Sequence, residues 1–337
     1  MSVRVTVGIV LHDSAADIVA CLAALSAQTR PADAVVVLDN ASSDDGLGRA
    51  RQAMPEARLE RSGANIGFAA GHNRAMALEP ADIHVVLNPD CRLAPRFLEH
   101  AIEAIEADPT IGAVSGRLLR FRDDASDGGS LIEQPGDILD STGMVALRNR
   151  RVLDRSSDLP AAGRDLAPAD VFGASGAAAV YRRTMLEDVA FEGEWLDESF
   201  FAYREDVDLA WRAQLLGWRC RYLPTALARH RRRVAPGRRG ALPARINRLS
   251  VANRWRMIAK NELAAGWRRD WRSIVGRDVQ ILGYCALREQ PSLLAVADVA
   301  GDAVRLRAWR RDLMRRRRAA DEDILGWFGG RAERAAP

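Results

Sequence analysis

The 337-residue sequence predicts an α/β fold built on a mostly parallel sheet with helices on both faces. Three observations predict it. Short apolar runs of the buried-strand type recur through the first third of the chain, amphipathic helical patterns separate them, and turn-forming polar residues stand where strands end. Apolar residues make up 48% and charged residues 28% of the chain, which is typical of a globular protein and argues against wholesale disorder.

Strand and helix patterns alternate in order from the N-terminus. The run VRVTVGIVL (3–11) predicts a first buried strand, and apolar residues at 18, 21, 22 and 25 have the spacing of an amphipathic helix. Because strands and helices then continue to alternate, the pattern is a βαβ succession, which favours parallel strands. We expect further strands at 34–39, 57–61, 83–90 and 111–119, with helices at 44–53, 69–78 and 95–107 between them.

The second half of the sequence is less regular. Residues 121–169 contain glycine, proline and acidic residues and are predicted to form a loop-rich insertion. Strand character returns at 171–181 and 219–223, and YREDVDLAWRAQLLGW (203–218) between them predicts a helix that stops at its glycine. From residue 241 onward the pattern is helical. We therefore expect an α/β domain at 1–232 and a basic helical region at 233–337.

The balance of charged residues changes sign at nearly the same boundary. Residues 1–230 hold 24 arginines and 34 acidic residues, a balance of −10, whereas residues 231–337 hold 24 arginines, one lysine and 11 acidic residues, a balance of +14. Such asymmetry indicates that the basic region meets something anionic. We expect contact with an anionic membrane surface, with a homodimer surface as the alternative. The residues proposed for this contact are Arg231–Arg233, Arg238, Arg239 and Arg315–Arg318, with Trp267, Trp271 and Ile274 entering the headgroup region.

Several protein classes lose support because their patterns are missing. No apolar run reaches about 18 residues and the N-terminus lacks a signal-peptide layout, so we expect a cytoplasmic protein. The four cysteines are scattered without CxxC spacing, which indicates neither a zinc site nor a disulfide framework. GxGxxG is missing from the first two strand-to-helix turns and GxxxxGK[ST] from the chain, which argues against dinucleotide and P-loop sites.

Acidic residues stand at two strand ends, where open α/β sheets bind ligands. Asp39 ends the second predicted strand, and Asp90 ends the fourth in the tripeptide NPD. Carboxylates there can bind a metal, ribose hydroxyls or base N–H groups, and a dication such as Mg²⁺ takes one or two carboxylates together with phosphate oxygens. A turn function is the alternative for each, with Asp39 in an Asx-turn and Asp90 following Pro89.

Three carboxylates crowd the start of the helix in YREDVDLAWR. Glu205, Asp206 and Asp208 are more than helix capping needs, so their repulsion must be offset by a cation, by proton binding or by Arg212. We expect Asp208 and Arg212, four residues apart, to pair in a structural role. Crowding should raise the proton affinity of Asp206 and suit it to accept a proton.

Five segments resemble, in order and spacing, the family 2 glycosyltransferases: LDNASSDD, GANIGFAAGHN, LNPD, GASGAA and FFAYREDVDLAWR. Within that family they are most similar to rhamnosyltransferases that act on polyprenyl-diphosphate sugars. The resemblance covers residues 3–232, and the helix start containing Glu-Asp is its most specific part. The first strand ends in LHD (11–13), where the family commonly has TYN, so the pattern for donor-base contacts departs there.

The resemblance implies a GT-A fold, a nucleotide-sugar donor, Mg²⁺ or Mn²⁺ as cofactor, and inversion at the anomeric carbon. It points to transfer of L-rhamnose from dTDP-rhamnose to a lipid-linked saccharide at the inner face of the cell membrane. A UDP- or GDP-sugar donor with another polysaccharide acceptor is the alternative. By position in the motifs, Asp206 is the catalytic base with Glu205 beside it, and Asp90 and His230 hold the metal. The residues implied to line the nucleotide-sugar site are Val10, Asp39, Asn40, Asn65, Gly67, Asn73, Asn88, Asp90, Gly173 and Gly176.

Two other functions share some of these features. A nucleotidyltransferase also has acids at strand ends, but would normally show a Gly-rich basic phosphate loop near its N-terminus. A nucleic-acid-binding protein could use the arginine-rich final third. That region lacks interleaved aromatic clusters, however, and the acidic body would repel phosphates. We therefore expect a transferase with no nucleic-acid partner.

Overall fold

The structure is a computed structural model that describes residues 3–121, 131–232 and 243–329. Its strands are β1 Val5–Leu11, β2 Ala34–Asp39, β3 Arg58–Arg61, β4 Ile83–Leu87, β5 Cys91–Leu93, β6 Ile111–Arg120, β7 Leu139–Ser141, β8 Met144–Ala146, β9 Val152–Asp154, β10 Ala169–Val171, β11 Ala178–Arg182 and β12 Arg219–His230. Its α-helices are α1 Ile18–Ser26, α2 Gly46–Ala53, α3 Gly67–Leu78, α4 Phe97–Ala107, α5 Arg183–Val189, α6 Glu205–Leu215, α7 Ala244–Asn261, α8 Ala264–Arg288, α9 Ala295–Gly301, α10 Ala303–Arg316 and α11 Asp321–Trp327.

The predicted alternation of strands and helices is confirmed through β6, with boundaries shifted by a few residues. The run predicted as one strand at 171–181 is instead two short strands, β10 and β11, with a loop at 172–177 between them. That loop contains the first five residues of GASGAA, and its glycines and other small residues favour a turn over a continuous strand. The insertion predicted at 121–169 contains β7, β8 and β9, although 122–130 lie outside the described residues.

The main sheet is mostly parallel, as predicted. Its backbone order is β10-β12-β6-β11-β4-β1-β2-β3, with β5 paired to β12 and β7 paired to β6. β1, β2, β3 and β4 are parallel to one another, and β12 is parallel to β6. Because β11 is antiparallel to both β4 and β6, β6 and β12 run in the same direction as β1–β4. The carboxyl ends of these six strands therefore lie at one edge.

Helices cover both faces of the sheet, which explains the uninterrupted apolar runs. All seven residues of β1 are buried, as expected for a strand packed on both sides. Successive residues of β4 belong to different cores, since Val85 packs with α1, α2 and α4, whereas Val86 packs with α3, α5 and α6. The second core also includes Met257 of α7 and Ile324 of α11, so the C-terminal helices extend it.

Several arginines proposed for membrane contact form ion pairs with acids of the protein. Arg316 pairs with Asp312, Arg317 with Asp321 and Arg318 with Asp188. Earlier in the chain, Arg231 pairs with Asp17 and Arg232 with Asp140, while Arg233, Arg238 and Arg239 lie outside the described residues. Ile274 is fully buried, so its predicted membrane role is wrong. Within the described ranges, none of the helices has both the length and the apolar character needed to cross a membrane.

Candidate active site

The predicted site residues gather at the edge where the parallel strands end. Asp39 is the last residue of β2 and His230 is the last residue of β12. Asp90 lies between β4 and β5, and Cys91, the first residue of β5, is the register partner of His230. Because β11 runs in the opposite direction, the loop before it, which contains Gly176, reaches the same edge. Sheet topology thus assembles residues that are far apart in sequence.

Asp90 and His230 are in direct contact, and a third residue completes the group. The Nε2 atom of His230 lies 3.3 Å from Asp90 Oδ1, and its Nδ1 atom lies 2.8 Å from Asp140 Oδ2. Asp140 is fully buried in β7, inside the insertion, where no local sequence pattern marked it. Burial alone would lower the pKa of His230, but the hydrogen bonds to Asp140 and Asp90 outweigh it and raise that pKa to about 9.

These residues fit a divalent cation shared with a diphosphate. Histidines that bind metals usually donate their other ring N–H to a carboxylate, and Asp140 is placed to receive it from His230. His230, through its Nε2 atom, and Asp90 would hold such a cation. Among the described residues there is no group of three or more His, Cys, Asp or Glu side chains able to hold a metal alone. Phosphate oxygens would therefore have to complete the shell.

The loop before β11 ties the NPD turn to the start of α6. The backbone N–H of Asn88 donates to the carbonyl oxygen of Ala177 at 2.9 Å. The next residue back, Gly176, donates its N–H to Asp206 Oδ2 at 3.0 Å. A Cβ atom at Gly176 would lie only 3.3 Å from that oxygen, so glycine permits the close approach. Two adjacent residues thus set the position of Asp206 relative to Asn88 and Asp90.

Asp206 and Glu205 differ in the hydrogen bonds that stabilise their carboxylates. Asp206 accepts hydrogen bonds from the N–H groups of Gly176 and, at 2.8 Å, of Val207. The Oε2 atom of Glu205 is buried and accepts none. Burial followed by the charge of Asp206 raises the pKa of Glu205 to about 8. Since Asp206 has donors from two other residues that stabilise its anion, whereas Glu205 has only its own backbone N–H, Asp206 loses its proton first and Glu205 stays neutral near pH 7.

Asp208, the third crowded carboxylate, has a structural role, as predicted. It is fully buried and pairs with Arg212 at 2.9 Å, with Lys260 at 2.9 Å and with the side chain of Asn261 at 2.8 Å. Lys260, the one lysine of the sequence, also pairs with buried Asp197. Because these cations match the charge of Asp208, the predicted cause of the raised Asp206 pKa is wrong; burial is the first cause.

The segment before α6 has strained backbone. Phe201, Tyr203 and Arg204 have φ angles of +60°, +72° and +73°, a region that side chains disfavour. Gly67 at the start of α3 has φ +88°, and a Cβ there would lie 2.5 Å from Phe201 O. The predicted Gly67 therefore permits the 201–204 segment to pack against α3.

Asn253 of α7 holds the strained segment in place. Its Nδ2 atom lies 2.8 Å, 3.1 Å and 2.9 Å from the carbonyl oxygens of Phe200, Ala202 and Tyr203. Arg256 donates to the Oδ1 atom of Asn253 and to the carbonyl oxygen of Ser199, both at 2.9 Å. Asn253 is fully buried, and sequence patterns did not single it out because its partners are some 50 residues away.

Two predicted asparagines organise the loop after β3. Asn40 accepts from Ile66 N–H at 2.8 Å and donates to Asn65 Oδ1 at 3.0 Å. Asn65 also contacts His12 Nε2 at 3.1 Å, at the point where LHD departs from the family pattern. Asp39 accepts from Ser42 N–H and pairs with Arg61 at 3.2 Å, so the turn role considered for it is present.

The other predicted donor residues have packing or loop contacts. Asn73 donates to Leu196 O at 2.8 Å and to Glu198 at 3.0 Å, which joins α3 to the segment before α6. Val10 is buried in β1 beneath α3, and Gly173 is buried against α6. These positions surround the sheet edge, and their contact with a nucleotide sugar stays a prediction.

Comparison with known sequences identifies relatives. Residues 6–190 match the family described as "Glycosyl transferase family 2". The chain is 30% identical over 240 residues to the N-acetylglucosaminyl-diphospho-decaprenol L-rhamnosyltransferase of Mycobacterium tuberculosis (strain CDC 1551 / Oshkosh). The match covers 64% of this chain and 72% of that protein.

Solved structures support the same fold. The mannosyltransferase PcManGT of Pyrobaculum calidifontis, solved with GDP-Man and Mn²⁺, matches with a TM-score of 0.54 and 18% identity over 94% of this chain and 86% of its own. GalNAc-T7, solved with UDP, GalNAc and Mn²⁺, matches with a TM-score of 0.58 and 11% identity over 77% of this chain. The match spans about half of GalNAc-T7, 48% of that chain. The chain therefore belongs to glycosyl transferase family 2 and has the GT-A fold.

Proposed function

We propose that this glycosyltransferase moves L-rhamnose from dTDP-rhamnose, with inversion, to a hydroxyl of a saccharide linked to a polyprenyl diphosphate. The observation that carries the proposal is the Asp206 carboxylate, held by two backbone N–H groups, one of them in a loop that also hydrogen-bonds the NPD turn, where Asp90 contacts His230. The relative from M. tuberculosis is named for rhamnosyl transfer to a diphospho-decaprenol saccharide, which supports this choice of sugar and acceptor class.

Asp206 acts as the general base in this proposal. As the acceptor hydroxyl oxygen attacks the anomeric carbon from the face opposite the nucleotide diphosphate, its proton passes to Asp206. The N–H groups of Gly176 and Val207 fix the carboxylate, and each of its oxygens keeps lone-pair capacity for the incoming hydroxyl. Neutral Glu205 adds no second negative charge beside the reacting proton.

Asp90 and His230 would hold a divalent cation, Mg²⁺ or Mn²⁺, against the diphosphate of the donor. When bound, such a cation supplies stabilisation of the negative charge that develops on the departing nucleotide diphosphate. Asp140 keeps the imidazole oriented through Nδ1. Asp39, Asn40, Asn65 and their neighbours line the nucleotide side in this assignment.

The two parts of the chain have different roles in this proposal. Residues 1–232 carry the donor site and the base, and residues 233–337 contact the inner face of the membrane, where a lipid-linked acceptor resides. Contacts from α7 to the segment before α6 support a second role for the C-terminal part, which is to hold that segment in place.

A donor screen tests the assignment. The full-length protein would be incubated with dTDP-rhamnose, UDP-N-acetylglucosamine or GDP-mannose, with Mg²⁺ or Mn²⁺, and with a short-chain N-acetylglucosaminyl-diphospho-prenol acceptor. We expect turnover with dTDP-rhamnose and a product of opposite anomeric configuration, detected by NMR. Turnover with only a UDP- or GDP-sugar would overturn the sugar assignment. Pyrophosphate release from a nucleoside triphosphate, with no sugar transfer, would indicate a nucleotidyltransferase.

A further inference from the structure

One face of α8 exposes a line of apolar side chains to solvent. Trp267, Trp271, Val275 and Val279 recur every four residues and are 44%, 47%, 38% and 63% exposed. At 1.5 Å per residue, this stripe extends for roughly 18 Å along the helix. The adjacent stripe, which includes Gly266, Asp270 and Ile274, is buried against the rest of the molecule. The exposed side chains thus lie on the face of α8 that does not pack against the rest of the molecule.

Charge on α8 is sorted between the two faces. Its two acids have partners inside the molecule, since Asp270 pairs with Arg150 at 2.8 Å and Asp278 pairs with Arg254 at 2.8 Å. Arg268 and Arg272, next to the two tryptophans in sequence, are exposed. The described exposed charges along this helix are therefore arginines, although the helix sequence contains acids as well.

We infer that the exposed face of α8, defined by Trp267, Trp271, Val275, Val279, Arg268 and Arg272, docks in the plane of an anionic lipid surface. Indole rings prefer the boundary between headgroups and acyl chains, and arginines extend from an apolar face to reach phosphates. This inference deepens the proposed function and rests on it in one respect, because a lipid-linked acceptor gives the docking its purpose.

A lipid surface fits this face better than a second copy of the chain does. A two-fold interface brings the same patch of both protomers together. Arg268 and Arg272 would then meet the same face of the other copy, where α8 exposes no acid to pair with them. Anionic headgroups satisfy the arginines while the acyl region accepts the tryptophans. The predicted cluster Arg315–Arg318 fits the role less well, because all four side chains already pair with acids of the protein.

Vesicle cosedimentation of the full-length protein tests this docking. Vesicles of phosphatidylcholine alone and with phosphatidylglycerol, free of donor and acceptor, would be used at low and high salt. We expect binding to the anionic vesicles, weakened by salt. Trp267→Ala/Trp271→Ala and Arg268→Gln/Arg272→Gln should each lower the partition coefficient by about tenfold or more. Leu166→Ala and Arg51→Gln, exposed positions in the α/β domain, are the matched controls and should change nothing.

Unchanged vesicle binding in both α8 double variants would overturn the inference. Loss of a dimer in the tryptophan variant, seen by light scattering without any vesicle binding in the wild type, would do so as well. Thermal melting verifies that each variant is folded. Because vesicles without substrates report only docking, and a soluble short-chain acceptor reports only transfer, failure of the docking and failure of the proposed function are distinguishable.

Discussion

Replacing Asp206 by asparagine should slow glycosyl transfer far more than it destabilises the protein. Both oxygens of Asp206 accept a backbone N–H, from Val207 at 2.8 Å and from Gly176 at 3.0 Å. Asparagine offers one oxygen and one NH₂ group, so one of these donors loses its acceptor. An unsatisfied buried donor costs about 1–3 kcal/mol, which for a chain of this length lowers Tm by roughly 1–4 °C. The variant should therefore remain folded at 25 °C.

The increase in the activation barrier should exceed this loss of folding stability. A positioned general base contributes about 10²–10⁴ in rate, equivalent to roughly 3–5 kcal/mol of barrier. We expect kcat for transfer to a soluble acceptor to fall by that factor, while the Kd for the donor nucleotide stays near the wild-type value. Steady-state kinetics and calorimetric titration of the nucleotide diphosphate separate the two effects.

Glu205→Gln is the matched control, because glutamine resembles the neutral carboxyl that a pKa of about 8 implies. It should cost less than tenfold in kcat near pH 7. In the wild type, ionisation of Glu205 above pH 8 places a second charge beside Asp206, and the variant should lack that step in its pH–rate profile. If Asp206→Asn kept more than about a tenth of wild-type turnover, the base would have to be sought at Glu205 or Glu198. Equal losses in both variants would contradict the separate roles.

Four further predictions follow from particular contacts. Lys260→Met leaves Asp208 and Asp197 buried without their shared cation and should destabilise the fold by about 3–5 kcal/mol in denaturant titration, whereas a loss below 1 kcal/mol would contradict the pairing. Asn253→Asp should lower kcat at least tenfold with an unchanged donor Kd; a shift in donor Kd instead would show that the residue acts on the nucleotide side. Asp90→Ala and His230→Ala should each weaken Mg²⁺-dependent nucleotide diphosphate binding in calorimetry, and unchanged metal dependence in the Asp90 variant would refute its assignment. Folding raises the pKa of Glu205 from 4.5 to about 8, so its contribution to stability is present below pH 4.5 and is lost as pH rises to 8. The Tm of the wild type should therefore decline across that pH window, and Glu205→Gln should flatten the decline.

The sequence predicted the strand ends and helix start of the site because local patterns determine them. Asp39 ends the second predicted strand and NPD ends the fourth, both apolar runs of buried-strand type, so local patterns placed both carboxylates at strand ends without tertiary information. Glu205 and Asp206 were found because acids crowd the first turn of an otherwise amphipathic helix. His230 was reached through the family resemblance, and the parallel pairing of β12 with β6 then brings it to the same edge.

Residues that act through long-range contacts could not be found in this way. Asp140 lies on a three-residue strand in an insertion without periodicity, and its partner His230 is 90 residues away. Lys260 and Asn253 occupy helical positions like any others, and only the packing of α7 brings them to Asp197 and to the 201–204 segment. The pKa order of Glu205 and Asp206 likewise depends on two N–H donors, one of them from Gly176, 30 residues before Asp206.

These long-range contacts explain how strained backbone persists next to the proposed base. Positive φ at three of the four positions in the 201–204 segment, none of them glycine, costs of order 1–3 kcal/mol each, so the surrounding structure must over-determine this segment. Asn253 supplies donors to carbonyls of that segment from one side, and Gly67 leaves room for Phe201 on the other. Lys260 anchors Asp197 before the segment and Asp208 after it. Because these contacts hold the 201–204 segment at both ends and on both sides, they fix Asp206 in one position relative to Gly176. The geometry of proton acceptance therefore depends on α7 as much as on the sheet edge.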